Sequence, residues 1–370
     1  MTCGYTIVTE DHIGNAEELE PAIPDHLRRT RTHPLGAPSN FSPIHASYSA
    51  RFGQDVTTLP IIYLGLQFPP GTNADLAIAS IENAIAGSSG PEYVDRARFI
   101  DVLGCENLIF ALYWRDGERF RQWRAVMPAD WWYRDLPTEG TIGAFEEAFL
   151  PSVMDTETTF SHPHPDGYSL LADKMSGKTD THEYWGSARD RIPRAQFDAL
   201  VPPPADERNA LVPDVPTKGR CVTVEPHDNL CLLRSGQDWS DTSGPERAFY
   251  LETVKTMLEA GMREIDFDGY SVGCFFNRYM QIEGNSGALE KTYSLSAWRS
   301  LADLEAWVKA DTHLKIFAAG LRHYRLAGET AKLRLYHEMM VLKAEDQSFR
   351  YFNCHEQTGM LRSLGVRNGE

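Results

Sequence analysis

The sequence predicts an α+β protein in which one unit of strands and helices occurs twice. Three observations carry that expectation. Apolar strand-like runs and amphipathic helical runs follow each other in a similar order in two stretches of chain. A Trp-Arg pair recurs where a strand feeds a helix in each stretch. At 370 residues the chain suffices for two ordinary domains, or for one large fold built from two similar halves.

Residues 1–46 include the polar run RRTRTHPLGAPSNFSP, which has no clear periodicity and reads as an arm lying on the surface or on a neighbouring subunit. LPIIYLGLQF, from Leu59, is apolar enough for a buried strand. The run NADLAIASIENAIAG follows as a helix, with Leu76, Ile78, Ile81 and Ile85 at helical spacing and Gly87 at its end. ENLIFALYW, from Glu106, reads as a second strand. Later, HDNLCLLRSG, VGCFFNRYMQ and KTYSLSAW read as strands, and SGPERAFYLETVKTMLEAG as a helix after the first of them. That helix opens on a capping-box pattern, Ser243-x-x-Glu246, with Pro245 in its first turn and Gly261 at its end.

LYWRDGERFRQW sets Trp114 and Arg115 nine and eight residues before Trp123, and SAWRSLADLEAW sets Trp298 and Arg299 nine and eight before Trp307. Phe120 and Leu304 correspond under the same offset. Such self-similarity is the mark of a repeated supersecondary unit. The offset also sets His313 opposite Ala129, so this imidazole lies outside the shared packing scheme and points toward chemistry.

A second histidine stands out in KLRLYHEMMVLKA. With a period of two, Leu333, Leu335, His337, Met339 and Val341 share one strand face, and Arg334, Tyr336 and Glu338 the other. In DTHLKIFAAGL, Asp311 and Thr312 open a helical turn, and His313, Ile316, Phe317 and Leu321 line one side. Gly320 leaves that side bare, which marks a helix end or makes room for a flat ligand. Both imidazoles thus sit in apolar rows, where an unpaired polar group costs roughly 1–3 kcal/mol. Two satisfied core histidines are one explanation. The other is a flat, mostly apolar, metal-bearing cofactor such as a haem, with one imidazole on the metal and the other above it as an acid–base group.

CLLRSGQDWSD ends a strand with Ser235, Gly236 and Gln237, which either turn a hydroxyl into a cavity or form an ordinary turn. EYWGSARDRIP gathers Arg189, Asp190 and Arg191, equally readable as a surface salt-bridge cluster. Glu157 is an acidic residue in the strand-like MDTETTF. The HxH of His162 and His164 lies between prolines without a nearby third ligand, so a loop is preferred to a zinc site.

Composition narrows the class. With 42% hydrophobic and 24% charged residues the chain is an ordinary globular protein, and no run spans a bilayer. A net charge of −16 argues against nucleic acid or an anionic membrane as partner. The six cysteines show no CxxC spacing and the N-terminal run lacks a basic, apolar leader, which together predict reduced thiols in a cytoplasmic protein. No G-x-G-x-x-G follows a strand, and Walker and G-x-S-x-G motifs are absent.

The ordered segments YWGSxRDR, NLCLLRSGQDWS, THLKIF and LRLYHE, followed by FNCHxxTGML, resemble the haem-containing aldoxime dehydratases, also called phenylacetaldoxime dehydratases. The likeness runs from about residue 59 to 362. It implies a dimeric α+β barrel of two ferredoxin-like halves with haem in the C-terminal half. The corresponding division is an arm (1–46), a first half (47–160), a connecting segment carrying RDR (161–217) and a second half (218–370). It also implies a cytoplasmic, homodimeric carbon–nitrogen lyase that converts a small aldoxime, R–CH=N–OH, to the nitrile and water at a ferrous b-type haem. The absence of CxxCH fits a haem held without thioether links.

On this resemblance His313 is the proximal iron ligand, His337 the distal acid–base group and Ser235 the hydroxyl that holds the substrate. Arg191, with Arg189 as its alternative, and Glu157 tune or relay charge, although the family reads FET where this chain has Thr156-Glu157-Thr158. The rival readings are a haem peroxidase or chlorite-dismutase-like enzyme and a non-catalytic haem-binding protein.

Overall fold

Alternation of apolar residues on both faces of its strands requires this chain to cover a sheet on two sides, and it does so twice with one topology. The computed structural model describes residues 19–202 and 217–362, so the first part of the arm, part of the connecting segment and the C-terminal tail lie outside the described residues. The first pass comprises β2 (Ile61–Phe68), α1 (Asp75–Ile85), β3 (Tyr93–Ile100), β4 (Glu106–Tyr113), α2 (Gly117–Val126) and β5 (Gly143–Phe149), preceded by the short β1 (Ala50–Arg51). Between the passes come β6 (Thr156–Phe160), β7 (Lys174–Met175), α3 (Ser187–Arg191) and β8 (Cys221–Val224). The second pass is β9 (Leu230–Asp238), α4 (Gly244–Phe249), α5 (Lys255–Asp268), β10 (Cys274–Gly284), β11 (Gly287–Trp298), α6 (Leu301–Trp307), α7 (Asp311–Ala327) and β12 (Arg334–Leu342), followed by β13 (Gln347–Phe352).

Strand neighbours repeat as well: β3-β4-β2-β5 in the first pass and β10-β11-β9-β12 in the second. Antiparallel pairing of β3 with β10 joins them into one curled eleven-stranded sheet, ordered β6-β12-β9-β11-β10-β3-β4-β2-β5-β13-β8. The inner face holds one core from both passes, including Tyr63, Tyr113, Phe145, Leu232, Tyr293 and Met340. The outer face is covered by helices, with Ile62, Leu64 and Leu66 under α1 and α2, and Cys231, Met339 and Val341 under α5 and α6. The Trp-Arg echo is a packing unit in both passes: Trp114 and Trp123 have ring centroids 5.0 Å apart at 45°, Trp298 and Trp307 5.3 Å apart at 41°.

Three local expectations change. Leu76 is exposed, because the buried side of α1 runs through Ala74, Ala77, Ile78, Ile81 and Ile85. Glu246 does not close a capping box; its carboxylate accepts from the backbone N–H groups of Lys332 (2.7 Å) and Leu333 (3.0 Å), tying the start of α4 to β12. Gly261 does not end its helix, which continues through a π turn at Tyr250–Val254 and on to Asp268. A Cβ at Gly261 would lie 2.5 Å from Ile316 Cδ1, so this glycine instead lets α5 approach α7 closely beside His313.

A further echo escaped the sequence. Tyr336 of β12 is the register partner of Gly236 in β9, and Phe145 of β5 that of Gly65 in β2. In each case the ring lies over the glycine, where an added Cβ would meet it at 2.0 Å. The Tyr336 hydroxyl is bonded to Asp166 (2.9 Å) and to Arg234 (3.0 Å), so its ring cannot swing aside. Gly236→Ala is therefore expected to cost about 1–3 kcal/mol of stability by overpacking, measured by urea unfolding.

Candidate functional site

Register decides which side chains meet. In the three adjacent strands β9, β12 and β6, Ser235 pairs with His337 and His337 with Thr159, while Met339 pairs with Glu157. Directly opposed residues of an antiparallel pair share a face. Ser235, His337, Thr159 and Glu157 therefore look outward from the sheet, toward α7. Their strand neighbours Arg234 and Glu338 look inward and are fully buried.

Helix α7 lies over this face: Ile316 packs in the cluster that holds Met339, and Ala319 in the one that holds Leu333. Its first turn carries His313, whose Nδ1 lies 2.8 Å from the carbonyl of Val308. Donating that proton fixes the tautomer and leaves the Nε2 lone pair free as a ligand. The indole of Trp307 packs edge-on against the ring at 4.8 Å. Burial lowers the pKa of His313, opposed by the Val308 hydrogen bond, so the ring is neutral, the state in which imidazole binds a metal.

His337 is surrounded by protein yet keeps accessible surface, on a strand whose next residues, Glu338 to Leu342, are buried. Its imidazole faces the space between sheet and helix. Burial, then the positive charge of Arg191, then His313 push its pKa from 6.5 down to about 4. Among the described residues no protein group hydrogen-bonds its ring.

Arg191 and Glu157 form a buried ion pair with Nε to Oε2 at 2.6 Å. The guanidinium also donates to the Thr181 carbonyl (3.0 Å) and to Ser187 Oγ (3.2 Å). Burial raises the pKa of Glu157 and its ion pair with Arg191 opposes that rise. Arg189 points elsewhere, gripping Glu305 of α6 at 2.9 and 2.8 Å. Asp190 anchors the arm, accepting from Gly36 N–H (2.8 Å) and the Tyr184 hydroxyl (2.7 Å). The three residues of RDR thus divide the labour, and Arg191 alone of them meets Glu157. His162, in its loop, sits with Nε2 3.0 Å from the Ala331 carbonyl.

One cluster was not anticipated. Asp101, Cys105 and His355 bring ligand atoms within 4.8 Å of one another. However, Gln357 N–H donates to His355 Nδ1 (3.2 Å), leaving the ring proton on Nε2, which lies 2.9 Å from Asp101. Asp101 accepts from Asn107 and Gln67 as well. We read this cluster as a hydrogen-bond hub that fixes the segment after β13 to the β3–β4 turn, since a metal would need the nitrogen that holds the proton.

The sequence pattern of the family described as haem-containing dehydratase matches residues 62–360. The chain belongs to the haem-containing dehydratase family. It is 35% identical over 353 residues to an aliphatic aldoxime dehydratase of Rhodococcus erythropolis, covering 93% of this chain and 98% of the relative. A phenylacetaldoxime dehydratase of Bacillus sp. (strain OxB-1) is 26% identical over 330 residues, covering 88% and 93%. A crystal structure of an aldoxime dehydratase superposes with a TM-score of 0.86 at 34% identity, over 95% of this chain and all (100%) of that one. A second, an aldoxime dehydratase in complex with butyraldoxime, gives 0.86 at 34%, over 93% and 96%.

The residues present fit the family's cofactor. His313 offers a neutral Nε2, and a side chain at Gly320, two turns on along the same side of α7, would meet nothing within 4 Å. Phe317 and Leu314 of the same helix are exposed apolar groups, and Phe317 packs against Trp185 of the connecting segment at 6.0 Å. An unobstructed, apolar helix side beside a free imidazole nitrogen suits a flat, apolar porphyrin.

Two measurements follow. Arg191→Ala leaves a buried carboxylate unpaired and is expected to cost about 3–5 kcal/mol in chemical denaturation, much of it recovered in the Arg191→Met/Glu157→Met double variant. For His337 the unfolded ring takes its proton near pH 6.5 and the folded one only near 4. Its contribution to stability is thus complete above 6.5 and lost as pH falls toward 4. Thermal unfolding between pH 7 and 4 is expected to show a shallower acid-side decline in His337→Asn than in the unaltered chain.

Proposed function

We propose that this chain converts aldoximes to nitriles and water, with haem held on α7 through His313 and chemistry carried out on the face of β9, β12 and β6. The single observation that carries the reading is that a helix-borne and a strand-borne imidazole, His313 and His337, lie close enough for their charges to interact in a chain of the haem-containing dehydratase family. The bound haem supplies an electron-rich iron centre that weakens the N–O bond of a coordinated oxime.

The remaining work falls to side chains. Ser235, directly across from His337 in the register, is suited to hold the oxime hydroxyl in line with the imidazole. A donor aimed at developing charge contributes about 2.7–4 kcal/mol. His337 exchanges two protons per turnover: one goes onto the departing oxygen, so that water leaves rather than hydroxide, and one comes from the C–H carbon as the nitrile forms. A ring held neutral above about pH 4 is a ready acceptor, and it delivers a proton only after gaining one. The two transfers cancel and return it to its starting state. Arg191, paired with Glu157, sets the field in which this occurs. Leu333, Leu335 and Met339 keep bulk water from this face.

The same reading extends to organisation. The repeated element order and strand neighbours support two ferredoxin-like halves, 47–160 and 218–370, joined by a connecting segment at 161–217 and preceded by the arm at 1–46. It extends to a homodimer, to a cytoplasmic location and to b-type haem in its ferrous state. Among the described residues no helix is long and apolar enough to cross a membrane. Higher identity to the aliphatic enzyme than to the phenylacetaldoxime enzyme supports an alkyl aldoxime as substrate.

Turnover of butyraldoxime by the reduced, anaerobic protein, followed as butyronitrile, tests the proposal; activity with hydrogen peroxide alone would instead favour a peroxidase. His337→Ala is expected to keep its haem absorption and lose about 10²–10⁴-fold in rate. His313→Gly is expected to lose the axial bond and regain the native absorption spectrum when imidazole is added.

A further inference from the structure

Two residues beyond Ser235, Gln237 stands on the same outward face of β9, because side chains at i and i+2 of a strand share a face. Its register partners are Thr292 of β11 and Leu335 of β12. Gln237 is buried, and Leu335 packs against the cluster that holds Ala319 of α7. The Gln237 side chain turns back along its own strand, with Nε2 3.2 Å from the Ser235 carbonyl oxygen. Its Oε1 lies 2.9 Å from Thr292 Oγ1, which in turn lies 3.1 Å from the Tyr279 hydroxyl.

Donors and acceptors in this chain can be assigned one by one. An amide oxygen only accepts, so Thr292 gives its one hydrogen to Oε1 and Tyr279 donates to Thr292. Turning the amide round would set its oxygen against the Ser235 carbonyl, acceptor against acceptor, so its orientation is fixed at both ends. Nε2 carries two hydrogens, and one goes to Ser235. The second has no partner among the described residues, and leaving a buried donor unpaired is costly. An alkyl aldoxime has only two polar atoms. On the reading proposed above its nitrogen is turned toward the haem, which leaves the oxygen, with one hydrogen and two lone pairs. We infer that Gln237 is a further catalytic residue, whose free Nε2 hydrogen bonds the oxime oxygen beside the Ser235 hydroxyl. The two donors then occupy both lone pairs, and the oxime hydrogen is left to the imidazole of His337. Negative charge builds on that oxygen as the N–O bond lengthens, and a donor already oriented through Thr292 and Tyr279 stabilises it without rearranging.

The kinetic consequence rests on the dehydration proposed above; the binding test does not. Two probes are titrated into the ferrous holoprotein and followed by haem absorption. Butanone oxime has the N–OH group and no hydrogen on the oxime carbon to lose, whereas n-butylamine has a nitrogen and no oxygen. Gln237→Met, unbranched and of similar length but without a donor, is expected to weaken butanone oxime about 2–10-fold and to leave n-butylamine unchanged. In turnover of butyraldoxime the same variant is expected to lower kcat about 10²-fold with a much smaller change in KM. Gln237→Glu, which when ionised still accepts from Thr292 but has no hydrogen to give, is expected to behave alike, and it decides the matter should Gln237→Met fail to fold. Thr292→Val, which keeps the amide but frees it to turn, is expected to act in the same direction more weakly. Equal weakening of both probes overturns the inference, as does an unchanged kcat in the Gln237 variants. A haem-bound unaltered protein that makes no butyronitrile would remove the proposed dehydration, while the two probes would still decide the role of Gln237.

Discussion

The register of β9 against β12 is the constraint on which everything else depends, and a buried network on the far side of the sheet holds it. The Arg234 guanidinium reaches Asp95 (2.7 Å), Asp166 (2.9 Å) and the Tyr336 hydroxyl (3.0 Å), and lies 4.1 Å over the Tyr293 ring. Glu338 accepts from the N–H (2.9 Å) and hydroxyl (2.7 Å) of Ser169, and burial raises its pKa to about 7. A slip of β12 by one residue would turn Tyr336 and Glu338 outward and bring His337 into the inner core. Unpairing a buried charge costs several kcal/mol, so the network penalises that alternative heavily. The side chains on one face are thus held in place by the polar interior of the other.

Comparison of the two passes shows how one unit serves two ends. Taking Gly65 with Gly236 and Phe145 with Tyr336 as equivalents aligns Glu147 with Glu338 and Glu146 with His337. Glu147 is buried against Arg278 as Glu338 is against Arg234, so the inner network is duplicated. The outer position is not. Glu146 is sealed by Arg124 at 2.6 and 2.7 Å and by the Trp131 indole at 3.2 Å. Where the first pass packs Trp131 and Trp132 after its second helix, the second pass adds α7 and leaves His337 facing open space. Equivalent positions thus carry a sealed carboxylate in the first pass and an accessible imidazole in the second.

Much of this was legible in the sequence because it depends on local period. Strand β12 has the alternation expected of KLRLYHEMMVLKA, and α7 begins at the predicted turn with His313 in its first turn. The Trp-Arg echo marked a real packing unit. What the sequence hid was non-local. Gly261 looks like a helix end because the residue that needs its missing Cβ, Ile316, lies in another helix. Glu246 fits a capping box by spacing, yet its partners, Lys332 and Leu333, come from the distant segment that leads into β12. Within RDR, three charged residues with identical local context separate only when Glu305, Glu157 and the arm are brought to them. Ser47, just past the arm, gave no signal at all, since a stretch without periodicity offers nothing to align until Thr159 of β6 supplies its partner.

The electrostatics of the site follow from the same geometry. Arg191 is neutralised in part by Glu157, yet its positive charge still acts on His337 and adds to burial in keeping that ring uncharged. A charged imidazole at rest would attract water and counter-ions into an apolar bay; a neutral one leaves the bay dry for porphyrin and substrate. In the proposed reaction the charged ring would be stabilised while negative charge develops on the departing oxygen beside it, because a nearby opposite charge favours the protonated form and a distant one does not. On the proposed mechanism, a depressed resting pKa would confine the charged state of His337 to the interval around N–O cleavage. The Arg191–Glu157 ion pair is buried, so the positive charge that acts on this ring is held in one place.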